Sequence, residues 1–200
     1  MFENIREDLR RGLMVNHLGD LLESGSGHFP LKARLSQFFR LGTQCVIVYR
    51  FGHWAWKLRI PVVRQVFLAI FFLFQFPLRA LAGVNIPYAA EIGPGLVIHT
   101  WSGVFLPPCR MGRNLHFNHG VVVGWSCREV GDDVYFGTGC KIIGPVKIGS
   151  RVRIGANAVV LEDVPDDCTA VGIPARILPG KEPFRREKIP PGPDRRRGLQ

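Results

Sequence analysis

The 200 residues are 46% hydrophobic and carry a formal net charge of +10, enough for a core and sized for one repeat domain with an attached segment. Five Cys without a C-x-x-C pair exclude a regular disulfide framework, and read as thiols of a reducing compartment, with Cys127 and Cys140 in the core. The positive balance points to acidic partners, a nucleotide cofactor or an anionic membrane before nucleic acid, although much of it sits in the last 20 residues.

The chain opens on MFENIREDLRR, which is charged and lacks the apolar region of a signal peptide, so a cytoplasmic location is expected. Residues 1–83 read as an α-helical segment. Phe2, Ile5, Leu9 and Leu13 recur at helical spacing, and Ser24 to Gly27 breaks the pattern. A basic amphipathic stretch follows from Leu31 to Leu41. A third helix is expected over Gln44 to Arg59, ended by Pro61. Val66 to Phe74 is an unbroken apolar run of nine residues, short of the roughly 20 needed to span a bilayer. It is expected to pack on neighbouring helices or another subunit; the alternative is a helix lying in a membrane interface, held by Arg64 and Arg79.

From Val130 to Pro165 the sequence divides into six hexads. The first position is always apolar: Val130, Phe136, Ile142, Ile148, Ile154, Val160. The fifth is small or branched, and the second is Gly in four of six. A helical period would drift out of phase, so this is the signature of a parallel β-helix. Backwards, Ile86, Ile92, Ile98 and Val104 keep the count, then Met111, Phe117 and Val123 resume it after one extra residue, and Val130 after another. If three hexads make one coil, as in the repeat proteins this pattern resembles, both extra residues fall at one bulged corner near Arg110 and Glu129. Residues 84–178 are thus the β-helix, closed after Pro165 by a turn at Gly172–Arg176. Residues 179–200 read as a basic, solvated tail, with anionic lipid or acidic polymer as the alternative contact.

Coil phase also singles out a site. Ile98, Phe117, Phe136 and Ile154 share one phase, so the residues two further on, Thr100, His119, Thr138 and Ala156, form a column. His99 lies beside Thr100, a coil away from His119. Gly137, Thr138, Gly139, Gly155 and Ala156 make the corner below them small. A proton acceptor above a smooth track suits a thin, extended cofactor whose reactive end stops at the histidine, and neutral imidazole can take a hydroxyl proton near neutral pH. His119 and His99 are the catalytic candidates, with His116 in the same corner. His53 reads as packing; His17 and His28 have no evident partners.

The opening MFENIREDLRR, the tract YRFGHWAWKLR, GVNIPYAAEIGPGLVI, the hexads and the closing AVGIPARIL together resemble the serine O-acetyltransferase-like branch of the hexapeptide-repeat acyltransferases, which includes exopolysaccharide and capsule O-acetyltransferases. The resemblance implies a mainly β fold, a left-handed parallel β-helix preceded by helices. It also implies a homotrimer with sites between subunits, acetyl-CoA as co-substrate and no metal. Gly137, Thr138, Gly155 and Ala156 would line the pantetheine path, with Arg176 near the nucleotide. Asn85, Thr100, Trp101 and His116 would meet the acceptor. Three serine-site features differ: His99 and Thr100 replace the Asp-His pair, Asn85 replaces the partnering Asp, and the loop bearing a further His is absent. Phe117–Val121 (F-N-H-G-V) instead resembles the I-x-H-G-V hexad of saccharide-acetylating relatives. The expected activity is O-acetyl transfer to a hydroxyl of a saccharide or polysaccharide precursor, with His as base, at the inner membrane face if lipid-linked. The alternatives are a serine O-acetyltransferase, a zinc hydratase of the γ-carbonic-anhydrase type using His99, His116 and His119, and a non-catalytic scaffold.

Overall fold

A computed structural model describes residues 1–16, 31–99 and 103–180. Among the described residues four helices precede the coils: α1 (Phe2–Asn16), α2 (Leu31–Phe39), α3 (Leu41–Trp56) and α4 (Pro61–Ala82). Arg40, extended at φ −68° and ψ 129°, separates α2 from α3, so the third helix begins earlier than its apolar pattern suggests and stops at Trp56. Pro61 opens the next helix. At the first helical position its missing N–H costs no hydrogen bond and its φ is already helical. Gly83, in the left-handed region at φ 62°, caps α4 by donating its N–H to the Arg79 carbonyl.

The apolar run belongs to a longer helix than its nine residues suggest, and the neighbouring helices cover one of its faces. α4 runs for 22 residues, long and apolar enough by length and composition to cross a membrane, yet only 11% of its most apolar window is buried. Counting one unbroken apolar run missed the flanking turns. α4 turns one stripe inward: Phe67, Leu68, Phe71, Gln75, Leu78 and Ala82 are buried or half-buried, at helical spacing. Phe71 presses on Gly52 of α3, where an added Cβ would sit 2.4 Å from the ring.

The first coil is tied to the helices by a buried ion pair. Asp8 of α1 and Arg50 of α3 are 5% and 3% exposed, with Arg50 Nε donating to Asp8 at 2.8 Å. Asp8 also accepts from the backbone N–H of Gly95 and of Leu96, each at 2.8 Å, and Arg50 donates to the carbonyls of Ile92 and Gly93. Tyr49 donates to the Ala90 carbonyl at 2.8 Å. Each polar group here is therefore satisfied, as burial requires.

Three parallel sheets form the β-helix. Sheet A stacks β1 (Val84–Asn85), β4 (Val104–Phe105), β7 (Val121–Val123), β10 (Lys141–Ile142) and β13 (Val159–Val160). Sheet B stacks β2 (Glu91–Ile92), β5 (Arg110–Met111), β8 (Glu129–Val130) and β11 (Lys147–Ile148). Sheet C stacks β3 (Val97–Ile98), β6 (His116–Phe117), β9 (Tyr135–Phe136), β12 (Arg153–Ile154), β14 (Cys168–Val171) and β15 (Arg176–Pro179). Sheet C pairs Ile98 with Phe117, Phe117 with Phe136 and Phe136 with Ile154, a repeat of 18 or 19 residues. The rings of Phe117 and Phe136 lie 4.4 Å apart and nearly parallel in the core. Cys127 and Cys140 are buried there as expected.

Two details of the frame are corrected. Val104 pairs with Val121 rather than Val123, while Val123 pairs with Ile142. Leu106, buried and donating its N–H to Asn85, is therefore the residue in register with Val123. The first insertion thus falls between Ile98 of sheet C and Leu106 of sheet A, and the second at Gly124–Arg128, between sheets A and B. They occupy different corners, because Pro107-Pro108 turns one residue short and absorbs the difference. Beyond Pro165 the stacking also continues: Ala170 pairs with Ile154, and β15 folds back antiparallel on β14 through Gly172. The expected break at Ser24–Gly27 and the basic tail from Lys181 lie outside the described residues.

Candidate active site

The corner between sheets C and A turns alike in successive coils. After His119, Thr138 and Ala156 come Gly120 at φ 69°, Gly139 at φ 72° and Asn157 at φ 55°. These are residue types that tolerate the left-handed region. Gly139 N–H donates to the His119 carbonyl at 2.7 Å and Asn157 N–H to the Thr138 carbonyl at 2.8 Å, so the column stands coil on coil.

Three imidazoles gather at its upper end. The ring centroids of His99 and His116 are 4.7 Å apart, and those of His99 and His119 are 6.4 Å apart. His116 continues the stack onto Tyr135 at 4.9 Å. His99 and His119 share a cleft of about 570 Å³ with Asn16, Ser36, Gln37, Arg40 and Thr43. The cleft runs beneath the α2–α3 junction. Gln37 is held there, accepting from Asn16 at 3.0 Å and donating to Thr43 at 2.8 Å. His119 Nδ1 is buried without a hydrogen-bond partner among the described residues.

Burial holds His99 below the usual imidazole range, helped by His119 and Arg40. Burial, then His99 and Arg11, bring His116 down to about 4. Both rings are therefore neutral at pH 7 and place no cation beside His119. Burial also lowers His53, whose Nδ1 lies 2.9 Å from the Tyr88 carbonyl, consistent with a packing role.

The other expected residues divide. Thr138 and Ala156 are exposed on the column, and Gly155 is half-buried. Gly137 is buried, and an added Cβ would sit 2.7 Å from the Ala156 nitrogen and the Gly155 carbonyl carbon. Its small size is required by the stacking of coils. Arg176 is exposed on β15, paired with Val171, whose side chain covers Gly155 at the lower end. Asn85 lies on sheet A with Phe105 as its neighbour, and among the described residues no hydrogen bond joins its side chain to the imidazoles. Thr100 and Trp101 lie outside the described residues. No group of three His, Cys, Asp or Glu able to hold a metal ion forms among the described residues.

Sequence patterns did not reveal Arg40, Ser36 or Gln37, because α2 and α3 reach the corner only through tertiary packing. The only available signal was the basic, polar composition of Leu31–Leu41.

Residues 129–162 match the family described as bacterial transferase hexapeptide, six repeats. The coils over residues 129–162 are bacterial transferase hexapeptide repeats. The chain is 35% identical over 145 residues to a serine acetyltransferase of Synechococcus elongatus, an alignment covering 68% of this chain and 57% of that one. It thus spans little more than half of that relative's length. Among solved structures it resembles soybean serine acetyltransferase complexed with serine, with a TM-score of 0.68 at 25% identity, covering 88% of this chain and 68% of that one. It also shares its fold with a serine acetyltransferase in complex with CoA, with a TM-score of 0.66 at 23% identity, covering 88% and 68% of the two chains.

Proposed function

We propose that this hexapeptide-repeat protein is an O-acetyltransferase that moves the acetyl group of acetyl-CoA to a hydroxyl acceptor, with His119 as general base. One observation carries the reading. A histidine with a buried, unpartnered Nδ1 stands at the end of an exposed small-residue column and opens into the cleft under α2–α3. The residues present fit a thin thioester cofactor. Thr138, Gly155 and Ala156 project little from the corner, and Arg176 lies at the far end for the nucleotide phosphates.

Acetyl-CoA supplies an activated acyl group. His119 accepts the acceptor's hydroxyl proton as that oxygen bonds to the acyl carbon, and the proton passes to the sulfur as the C–S bond breaks. General-base assistance of this kind is worth about 10²–10⁴-fold. The neutral His99 and His116 rings leave His119 free of neighbouring imidazolium charge. A backbone amide of the column would supply the oxyanion donor. A homotrimer, with a neighbouring subunit closing the cleft and pairing His119 Nδ1, belongs to this proposal.

L-Serine is the first acceptor to test, because the relatives above are named serine acetyltransferases. A saccharide hydroxyl is the second reading. It is favoured by the sequence, in which His99, Thr100 and Asn85 stand where the serine-site residues of the family are expected. The test is thiol release from acetyl-CoA by the purified protein with L-serine and with a panel of sugars and nucleotide sugars. Release with one class, lost in His119→Ala, supports the assignment. Release unchanged by that substitution refutes His119 as base.

A further inference from the structure

α4 shows an apolar surface that the rest of the described chain leaves bare. Outside its inner stripe, Val62, Leu73, Phe76 and Leu81 are 69–76% exposed, and Val66, Phe72 and Phe74 are more than half exposed. Large contiguous apolar surfaces of this kind mark interaction sites on soluble chains.

The charge around it selects the partner. No Asp or Glu occurs between Glu23 and Glu91, while Lys32, Arg34, Arg40, Arg50, Lys57, Arg59, Arg64 and Arg79 fall within that span. Arg50 is buried in its pair with Asp8; the others are not. Lys57, Arg59 and Arg64 cluster at the start of α4, where the Arg64 guanidinium lies 5.3 Å over the Trp56 ring, and Arg79 stands in its last turn. An apolar face rimmed by cations, with Trp beside them, matches the layered chemistry of a bilayer surface: acyl chains within, anionic headgroups at the rim.

We infer that α4 docks this protein on an anionic phospholipid bilayer, lying in the interface with its outer face in the acyl boundary. It lies on the membrane rather than crossing it, because its inner stripe stays engaged with the fold. Phe71 is fully buried on Gly52, and Gln75 donates to the Ile86 carbonyl at 3.1 Å. Crossing would strip those contacts away. The basic rim also favours a lipid sheet, since a second copy of the same face would bring like charges together.

The experiment is flotation of the full-length protein with phosphatidylcholine vesicles, with and without phosphatidylglycerol, at low and high salt. The expected result is binding that favours the anionic vesicles and weakens with salt. Arg59→Gln and Arg64→Gln should each lower that partition about fivefold. Leu73→Ser with Phe76→Ser should abolish it without altering circular dichroism, because both side chains are exposed. Failure to bind either vesicle overturns the inference. So does a sedimentation result in which the Leu73→Ser, Phe76→Ser protein loses an oligomer that the parent forms, since the face would then be covered by a second copy.

Discussion

Asp8→Ala probes how the helices are fastened to the coils. The carboxylate accepts from Arg50 Nε at 2.8 Å, Arg50 Nη2 at 3.1 Å, and the Gly95 and Leu96 amides at 2.8 Å each. Its removal leaves a buried guanidinium with only the Ile92 and Gly93 carbonyls, and two amides without acceptors. Breaking a buried pair from one side costs about 3–5 kcal/mol. In a chain of this size that lowers Tm by roughly 6–20 °C. Thermal unfolding followed by circular dichroism measures the loss. Hydrogen exchange should locate it in α1 and around residues 93–96. Asp8→Leu combined with Arg50→Met should be less destabilised than Asp8→Ala alone, because no charge is then stranded. A loss under about 1 kcal/mol for Asp8→Ala, below even the low end of the buried-pair range, would refute the staple.

His119→Ala should lower thiol release about 10²–10⁴-fold while leaving the melting curve nearly unchanged. His116 gives a signed pH dependence. Its folded value of about 4 lies below the unfolded 6.5, so the unfolded chain binds more protons between those values. Its stabilising contribution is complete above pH 6.5 and declines as pH falls towards 4, at up to about 1.4 kcal/mol per unit. His99 acts in the same direction. Denaturant midpoints measured across that range should slope less in His116→Asn than in the parent. Gly137→Ala should destabilise by about 1–3 kcal/mol, since its Cβ meets backbone rather than a side chain that can yield. A neutral urea midpoint would show that the coils can part to admit it.

The hexads were legible because a β-helix core is filled by the same positions in every coil. Phe117 above Phe136 and the column of His119, Thr138 and Ala156 follow from counting alone. Counting failed where a corner changed length. Ile98 to Leu106 is eight residues and Leu106 to Met111 five, where a hexad has six, so counting registered a single net extra residue and placed it at the wrong corner. Helix limits failed similarly at Pro61, which opens a helix as readily as it ends one.

The sequence by itself determined the coil repeat, the columns and the meeting of His99 with His119, since each depends only on a local period carried forward. Tertiary structure alone decided the rest. It brought Asp8 to Arg50 and to the Gly95 amide across 42 and 87 residues, set Arg40 over the imidazole cleft, and turned the outer face of α4 away from the other described helices. Those outcomes depend on which surfaces pack and which buried polar groups find partners, and no local period carries that information.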